Sequence, residues 1–466
     1  GETMIHVGST LEIRIEDISN EGHGIGKAEG MALFVRDTLP GDLVRVHVSK
    51  LKKNYGFAEK LLLVEPSPDR ILAACPFSTD CGGCSFQQLS YNAQLKTKEK
   101  QVRDKLTRLA GIENPLTRPI IGMDETYRYR NKAVMQIAED GSVGFYKAKS
   151  HDVIDCETCH LQTKAAEAAA DALRDFIKTD HISVYDPVSG KGLLRNMIVR
   201  TSWSTGEIMV VLVINGKGIP NAEKLVRMMD DRISDLEEAD GAWNYSLESV
   251  HININKKPGS EILGEQSILI AGKQVIIDKI GHLKFEISSM SFYQVNPTQM
   301  ERLYEKALDY ACLTGTETVL DLYCGVGTIG LLASSKAKKV IGIESVRGAV
   351  IDANRNAVIN GIVNATYICG EAENELPKLL QEEGFTADVA ILDPPRIGCD
   401  PALLEAVAAA EVKRIVYVSC DPATMARDIR ILGSKGYRFM EATPVDMFPW
   451  TSHCESVVKL EKCKTQ

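Results

Sequence analysis

The residues best suited to chemistry lie in one short stretch, Ile415 to Thr424, reading IVYVSCDPAT. Its apolar, β-branched start predicts a buried strand of a parallel sheet, and Ser419-Cys420-Asp421-Pro422 follows at the carboxyl end, where open α/β sheets place ligands. Asp421 suits a helix N-cap and Pro422 a first helical position, so Cys420 is expected beside helix-terminal N–H groups that favour a thiolate. Cys420 is therefore a candidate nucleophile, against the competing reading of a buried structural thiol. Upstream, Gly325, Gly327 and Gly330 form GxGxxG directly after the strand in TVLDLYCGVGTIG, and Glu344 ends the next strand. Backbone N–H groups of such a loop approach a ligand while the carboxylate holds a ribose, an arrangement that serves both dinucleotides and S-adenosylmethionine. Asp393-Pro394-Pro395-Arg396 follows a fourth strand, and Glu455 in HCESVVKL precedes a last one.

A thiol and two carboxylates beside a methyl donor suit methylation at carbon. C5 of a pyrimidine is a poor nucleophile until a thiolate adds at C6, and a base must later remove the C5 proton so that the thiol can leave. Cys420 and Glu455 fit those two roles. Arg396 stands where many enzymes that methylate base nitrogens carry an aromatic ring, which disfavours a stacked amine substrate.

A second group of reactive residues lies near the N-terminus. Cys75, Cys81 and Cys84 in CPFSTDCGGC have ligand spacing, and Cys156 and Cys159 in DVIDCETCH offer further thiols. A zinc ribbon from Cys81, Cys84, Cys156 and Cys159 competes with an iron–sulfur cluster on Cys75, Cys81, Cys84 and one later cysteine. Spacing alone leaves the two readings open.

These groups must be positioned by several domains, since 466 residues exceed one hydrophobic core. The fold class expected is multidomain. Residues 4–66 read as an OB-like β-barrel of short alternating strands, residues 67–284 as an α+β domain holding the cysteines, and residues 285–466 as a doubly wound, Rossmann-like α/β domain. Gly1-Glu2-Thr3 ahead of Met4 reads as a cloning remnant, with Met4 the expected start. No apolar run approaches membrane-spanning length and no export signal is evident, so a cytoplasmic protein with reduced thiols is expected. A net charge of −9 argues against a generally basic nucleic-acid binder but permits a local basic face. Arg118, Arg128, Arg130 and Lys132, with Tyr127 and Tyr129 between them, are expected to contact RNA together with the N-terminal barrel. The lysines from 96 to 105 read as a solvated helix face.

SFYQVN, DLYCGVGTIGL, ILDPPR, VYVSCDPAT and HCESVV occur in the order found in the RNA 5-methyluridine methyltransferase family, which the chain resembles from Leu11 to Leu460. The Gly-His-Gly-Ile-Gly loop, the Leu-Pro-Gly-Asp turn and the Val-Arg-Val strand resemble a TRAM domain. The resemblance is to the branch that carries a TRAM domain and a [4Fe-4S] cluster and acts on 23S ribosomal RNA. It implies Cys420 as nucleophile and Glu455 as proton-removing base. It further implies S-adenosylmethionine contacts at Gln294, Tyr323, Thr328, Glu344, Glu371 and Asp393, and cluster ligands at Cys75, Cys81, Cys84 and Cys159, with zinc the alternative metal. A monomer acting on 23S ribosomal RNA, without membrane association, is the expectation. The alternatives are a transfer-RNA uracil methyltransferase, a non-catalytic RNA-binding protein retaining the fold, and an NAD-dependent oxidoreductase.

Overall fold

Five short strands open the chain: β1 (Thr10–Ile18), β2 (Gly24–Ala28), β3 (Met31–Val35), β4 (Leu43–Leu51) and β5 (Tyr55–Glu65). In the computed structural model, which describes residues 4–236 and 244–464, they close into a barrel in the order β1-β2-β3-β5-β4. Gly1-Glu2-Thr3, on which the expected start at Met4 rests, lies outside the described residues. Alternation in LEIRI and LVRVHV sends Ile13, Ile15, Val44, Val46 and Val48 inward, where they meet Leu33 and Val35.

Helix α1 (Tyr91–Arg108), capped by Ser90 through the Ala93 N–H, lies against the C-terminal domain: Val102 and Leu106 join a core with Leu320, Tyr417 and Ile429. The solvated face expected for residues 96–105 is therefore corrected at Lys98, which is fully buried. A central seven-stranded sheet has the order β12-β11-β10-β9-β6-β7-β8. Its strands are β6 (Lys132–Ile137), β7 (Val143–Tyr146), β8 (Val153–Asp155), β9 (Leu194–Thr201), β10 (Glu207–Ile214), β11 (Ser246–Ile254) and β12 (Gln266–Gly272). Helices α2 (Lys164–Asp180) and α3 (Ala222–Ser234) cover one face, while Ile198, Met209, Val211 and Val213 on the other join the core of the C-terminal domain. Burial on both sides explains why β10 reads EIMVVLVI without alternation.

A hairpin of β13 (Ile276–Ile280) and β14 (Leu283–Ile287) leads into the last domain, so the boundary expected at 284/285 falls inside β14. Then follow α4 (Pro297–Ala311), β15 (Thr318–Leu322), α5 (Thr328–Ser334), β16 (Lys339–Glu344), α6 (Arg347–Ile359), β17 (Ala365–Cys369), α7 (Ala372–Leu380), β18 (Val389–Leu392), α8 (Pro401–Ala409), β19 (Arg414–Ser419), α9 (Pro422–Ser434), β20 (Tyr437–Val445) and β21 (Glu455–Lys462). The sheet order is β17-β16-β15-β18-β19-β21-β20, with the first five strands parallel and β21 antiparallel to β19. Strand order reverses between β15 and β18, the crevice where doubly wound sheets bind ligands. Among the described residues no helix is long and apolar enough to cross a membrane.

Residues 446–454, just ahead of Glu455, form a loop that every domain grips. Lys98 donates to Asp446 at 2.5 Å and to the Phe448 carbonyl at 3.1 Å, and the Tyr91 hydroxyl donates to Asp446 at 2.8 Å. Tyr129 donates to the Pro449 carbonyl at 2.9 Å, and Ser452 donates to the Asn20 carbonyl of the barrel at 2.8 Å. Both side chains of the Lys98–Asp446 pair are fully buried, and removing one partner of such a pair strands a buried charge. Asp446→Asn is expected to lower stability by about 3–5 kcal/mol, read from the urea midpoint. A Lys98→Met, Asp446→Leu double variant is expected to regain much of that loss.

Candidate active site and cysteine cavity

The loop after β15 turns sharply. Tyr323 has φ +59°, Gly325 +56° and Gly327 +84°, which opens the loop ahead of α5. Gly330 is required for a different reason: a Cβ there would fall 2.6 Å from Asp321 Oδ2, the oxygen that accepts the Gly330 N–H at 3.0 Å. Glu344 clamps the loop, accepting the Gly325 N–H at 3.0 Å and the Val346 N–H at 2.9 Å. Its remaining lone pairs stay available to a ligand. Thr328 is buried at the first position of α5, and Glu371 is exposed at the N-cap of α7. The Tyr323 hydroxyl accepts the Asp400 N–H at 3.3 Å.

Cys420, Asp393 and Glu455 meet at the same sheet edge. Cys420 follows β19 and Asp393 follows β18, while Glu455 begins antiparallel β21, so its start lies level with the end of β19 through the Ser419–Ser456 pairing. Glu455 is 4% exposed, and burial, reinforced by Asp393, pushes its carboxyl well above the usual range. Burial pushes Asp393 up to about 7 and Asp321 up to about 7, the latter also opposed by Asp393. Desolvation, then Glu455 and Asp393, raise the Cys420 thiol to about 11, with Arg396 acting in the opposite sense. The thiolate expected from the α9 terminus is thus corrected. Asp421 places its own carboxylate on the Ala423 and Thr424 N–H groups at 2.8 and 3.2 Å, so an anion occupies the helix end beside the thiol.

Sequence reasoning missed three groups here. Asp321, a carboxyl inside the apolar strand TVLDL, was detectable as a polar break in a buried run. Tyr304 of α4 is buried and hydrogen-bonded to the Gln294 side chain, with Asp393 and Glu455 close enough to oppose its ionisation; one tyrosine in an amphipathic helix carries no signal. His453 bonds Arg396 through Nδ1 at 3.0 Å, tying the Pro-Pro-Arg turn to the loop before Glu455.

Cys75, Cys81, Cys84, Cys156 and Cys159 all line one cavity of 230 Å³, together with Arg130. Burial raises the Cys84 thiol to about 12, whereas a hydrogen bond from Cys156 lowers Cys159 to about 7. Among the described residues no group of three or more His, Cys, Asp or Glu side chains is gathered tightly enough to hold a single metal ion. The basic stretch is less available than expected. Arg118 pairs with Glu441 at 2.8 Å, and Arg128 pairs with Glu167 while donating to the Gln162 carbonyl at 3.0 Å, whereas Arg130 and Lys132 pair with no acid among the described residues.

Residues 250–463 match the family described as tRNA (Uracil-5-)-methyltransferase, and residues 6–61 match the TRAM domain. An uncharacterized RNA methyltransferase of Halalkalibacterium halodurans is 42% identical over 99% of this chain and 98% of its own. One from Clostridium tetani is 42% identical over 97% and 96%. The crystal structure of Pyrococcus abyssi tRNA (uracil-54, C5)-methyltransferase in complex with S-adenosyl-L-homocysteine is similar with a TM-score of 0.74 and 28% identity, covering 97% of this chain and 100% of that one. Fold and site therefore define an RNA methyltransferase with a TRAM domain. The chain belongs to the uracil-C5 RNA methyltransferase family, whose members use S-adenosylmethionine.

Asp321 yields a stability test. An acid whose folded pKa is raised binds its proton more tightly when folded, so its contribution is lost as pH rises from about 4 through about 7. Asp321→Asn is expected to raise the melting temperature at pH 8 and leave it nearly unchanged at pH 4, measured by scanning calorimetry without methyl donor.

Proposed function

We propose that this enzyme methylates C5 of uridine in 23S ribosomal RNA through a covalent Cys420–C6 adduct, as a cytoplasmic monomer. The observation that carries the mechanism is the meeting of the Cys420 thiol with the buried carboxyl of Glu455 beside the glycine loop. S-adenosylmethionine supplies an electrophilic methyl group when bound. The residues suited to hold it are Gln294, Tyr323, Thr328, Glu344, Glu371 and Asp393, and the positive-φ loop and the spare lone pairs of Glu344 support that set. Cys420 adds to C6 as its proton leaves to a carboxylate, and the electron density this puts on C5 would form the new C–C bond to the donor's methyl group as that methyl's bond to sulfur breaks. Glu455 then takes the C5 proton, and the electrons of that bond expel Cys420 from C6. The base must leave the RNA stack to reach this edge.

We favour an iron–sulfur cluster held by Cys75, Cys81, Cys84 and Cys159 over zinc, and the observation behind a thiolate-held centre is that these four thiols line one cavity together with Cys156. That ligand set, with the TRAM domain, is the support for a ribosomal substrate. The transfer-RNA reading is favoured by the substrate of the similar Pyrococcus abyssi enzyme.

Cys420→Ala is expected to lose at least ~10³-fold in methylation and to form no adduct, whereas Glu455→Gln accumulates methylated RNA joined to protein, seen as a shifted band on denaturing gels. Mapping of 5-methyluridine by mass spectrometry in cells with and without the enzyme decides the substrate: loss confined to transfer RNA overturns the ribosomal reading. Anaerobically purified protein is expected to hold about four irons with matching sulfide, and Cys81→Ala to lose both.

A further inference from the structure

We infer that Lys132 and Arg200 form a subsite for one RNA phosphodiester, beside the loop that carries Gln294. The inference rests on the RNA-modifying reading above but not on which RNA is used. Register places Lys132 directly opposite Arg200 on neighbouring β6 and β9, so both side chains rise from one face of the central sheet. Two residues along, Val134 and Ile198 on that same face pack into the core of the methyltransferase domain. The two cations therefore look toward the catalytic domain, not toward α2 and α3.

Arg200 is 4% exposed, yet among the described residues its Nε has no partner, while Nη2 donates to the Ser291 carbonyl at 2.6 Å. Burial alone lowers its proton affinity, to about 10. Lys132 falls to about 8 through burial first, then through Arg200 and Arg130, and no acid offsets them. Concentrating buried like charge without a counter-ion is costly, and a fold that does so carries a place for an anion. The position identifies which anion. Asn131, next to Lys132 in the chain, donates from its side chain to the Gln294 carbonyl at 2.8 Å and from its backbone to the Val295 carbonyl at 2.8 Å. The same loop presents Phe292, 69% exposed. A nucleotide turned toward the catalytic edge leaves its sugar–phosphate at the rim of the pocket, beside this loop. Negative charge on a metal cluster is the competing counter-ion, but Arg130 is the cation that lines the cysteine cavity, and Lys132 and Arg200 do not.

The test is the salt dependence of binding to poly(U) RNA, followed by fluorescence anisotropy with the cluster-loaded enzyme. Losing one phosphate contact on a single strand reduces the slope of log affinity against log salt by about 0.7. Lys132→Gln is expected to show that reduction and to bind several-fold more weakly at low salt, with the difference closing as salt rises. Lys132→Arg, which keeps the charge, is expected to restore the slope, and Arg200→Lys to keep most of it. Melting temperature and iron content of Lys132→Gln should match the parent enzyme. An unchanged slope in folded Lys132→Gln overturns the subsite, and so does loss of iron with the slope intact, which reassigns the cation to the cluster. Since poly(U) has no ribosomal or transfer identity, a substrate map that favours transfer RNA leaves this result standing.

Discussion

Desolvation of one sheet edge governs this protein. Asp321, Asp393, Glu455 and Cys420 are all pushed toward their neutral forms, in each case with burial as the first cause. Water that would stabilise their charges is replaced by α4, the glycine loop and the strand ends, so each group feels its neighbours strongly. The same dry edge makes thiol and carboxyl chemistry controllable, since a proton that moves there has few places to go. Parallel strand ends deliver Asp393 and Cys420, and the single antiparallel strand β21 delivers Glu455 from the opposite chain direction to the same level.

Holding that edge in place falls to the loop at 446–454. It receives α1 through Lys98, the cysteine segment through Ser85 and Phe86, whose N–H groups donate to the Trp450 carbonyl, and the barrel through Ser452. Tyr127 stacks on Trp450 at 4.9 Å, so the aromatic part of the basic stretch is consumed in fixing this loop. The cysteine cavity and the Glu455 carboxyl are thereby joined through a few residues of this loop. The cavity walls and the loop ahead of Glu455 share the packing of Trp450 on Leu161.

The strands and the residues at their ends were legible in the sequence because sheet geometry leaves little choice: a period of two and a turn residue place each end group on one edge. IVYVSCDPAT, ILDPPR and DLYCGVGTIG all fell where their patterns put them. Partnerships across domains were not legible. Lys98 has the composition of a solvated lysine, and only Asp446, 348 positions away, makes it a buried one. Arg128 looked like an RNA contact until Glu167 of α2 claimed it. Local charge counts cannot see a partner delivered by tertiary packing, which is why Lys98, Arg118 and Arg128, all paired with distant acids, were not distinguishable from Arg130 and Lys132 in the sequence.

The Cys420 thiol shows what this means for reactivity. Burial first, then Glu455 and Asp393 and lastly Asp421, push the thiol up to about 11 and disfavour the thiolate at neutral pH. The penalty is electrostatic and depends on which acids are ionised. Asp393 and Glu455 oppose each other's charge, so the pair favours holding one proton, and each proton it holds removes one repulsion acting on the sulfur. In the proposed mechanism, addition to C6 would then need no free thiolate, because the sulfur proton could pass to the ionised member of the pair as the S–C bond forms. The proposed later step would ask the reverse, an ionised Glu455 to receive the C5 proton. A carboxyl pair near the point of sharing one proton can meet both demands, whereas a permanently ionised or permanently neutral Glu455 could meet only one.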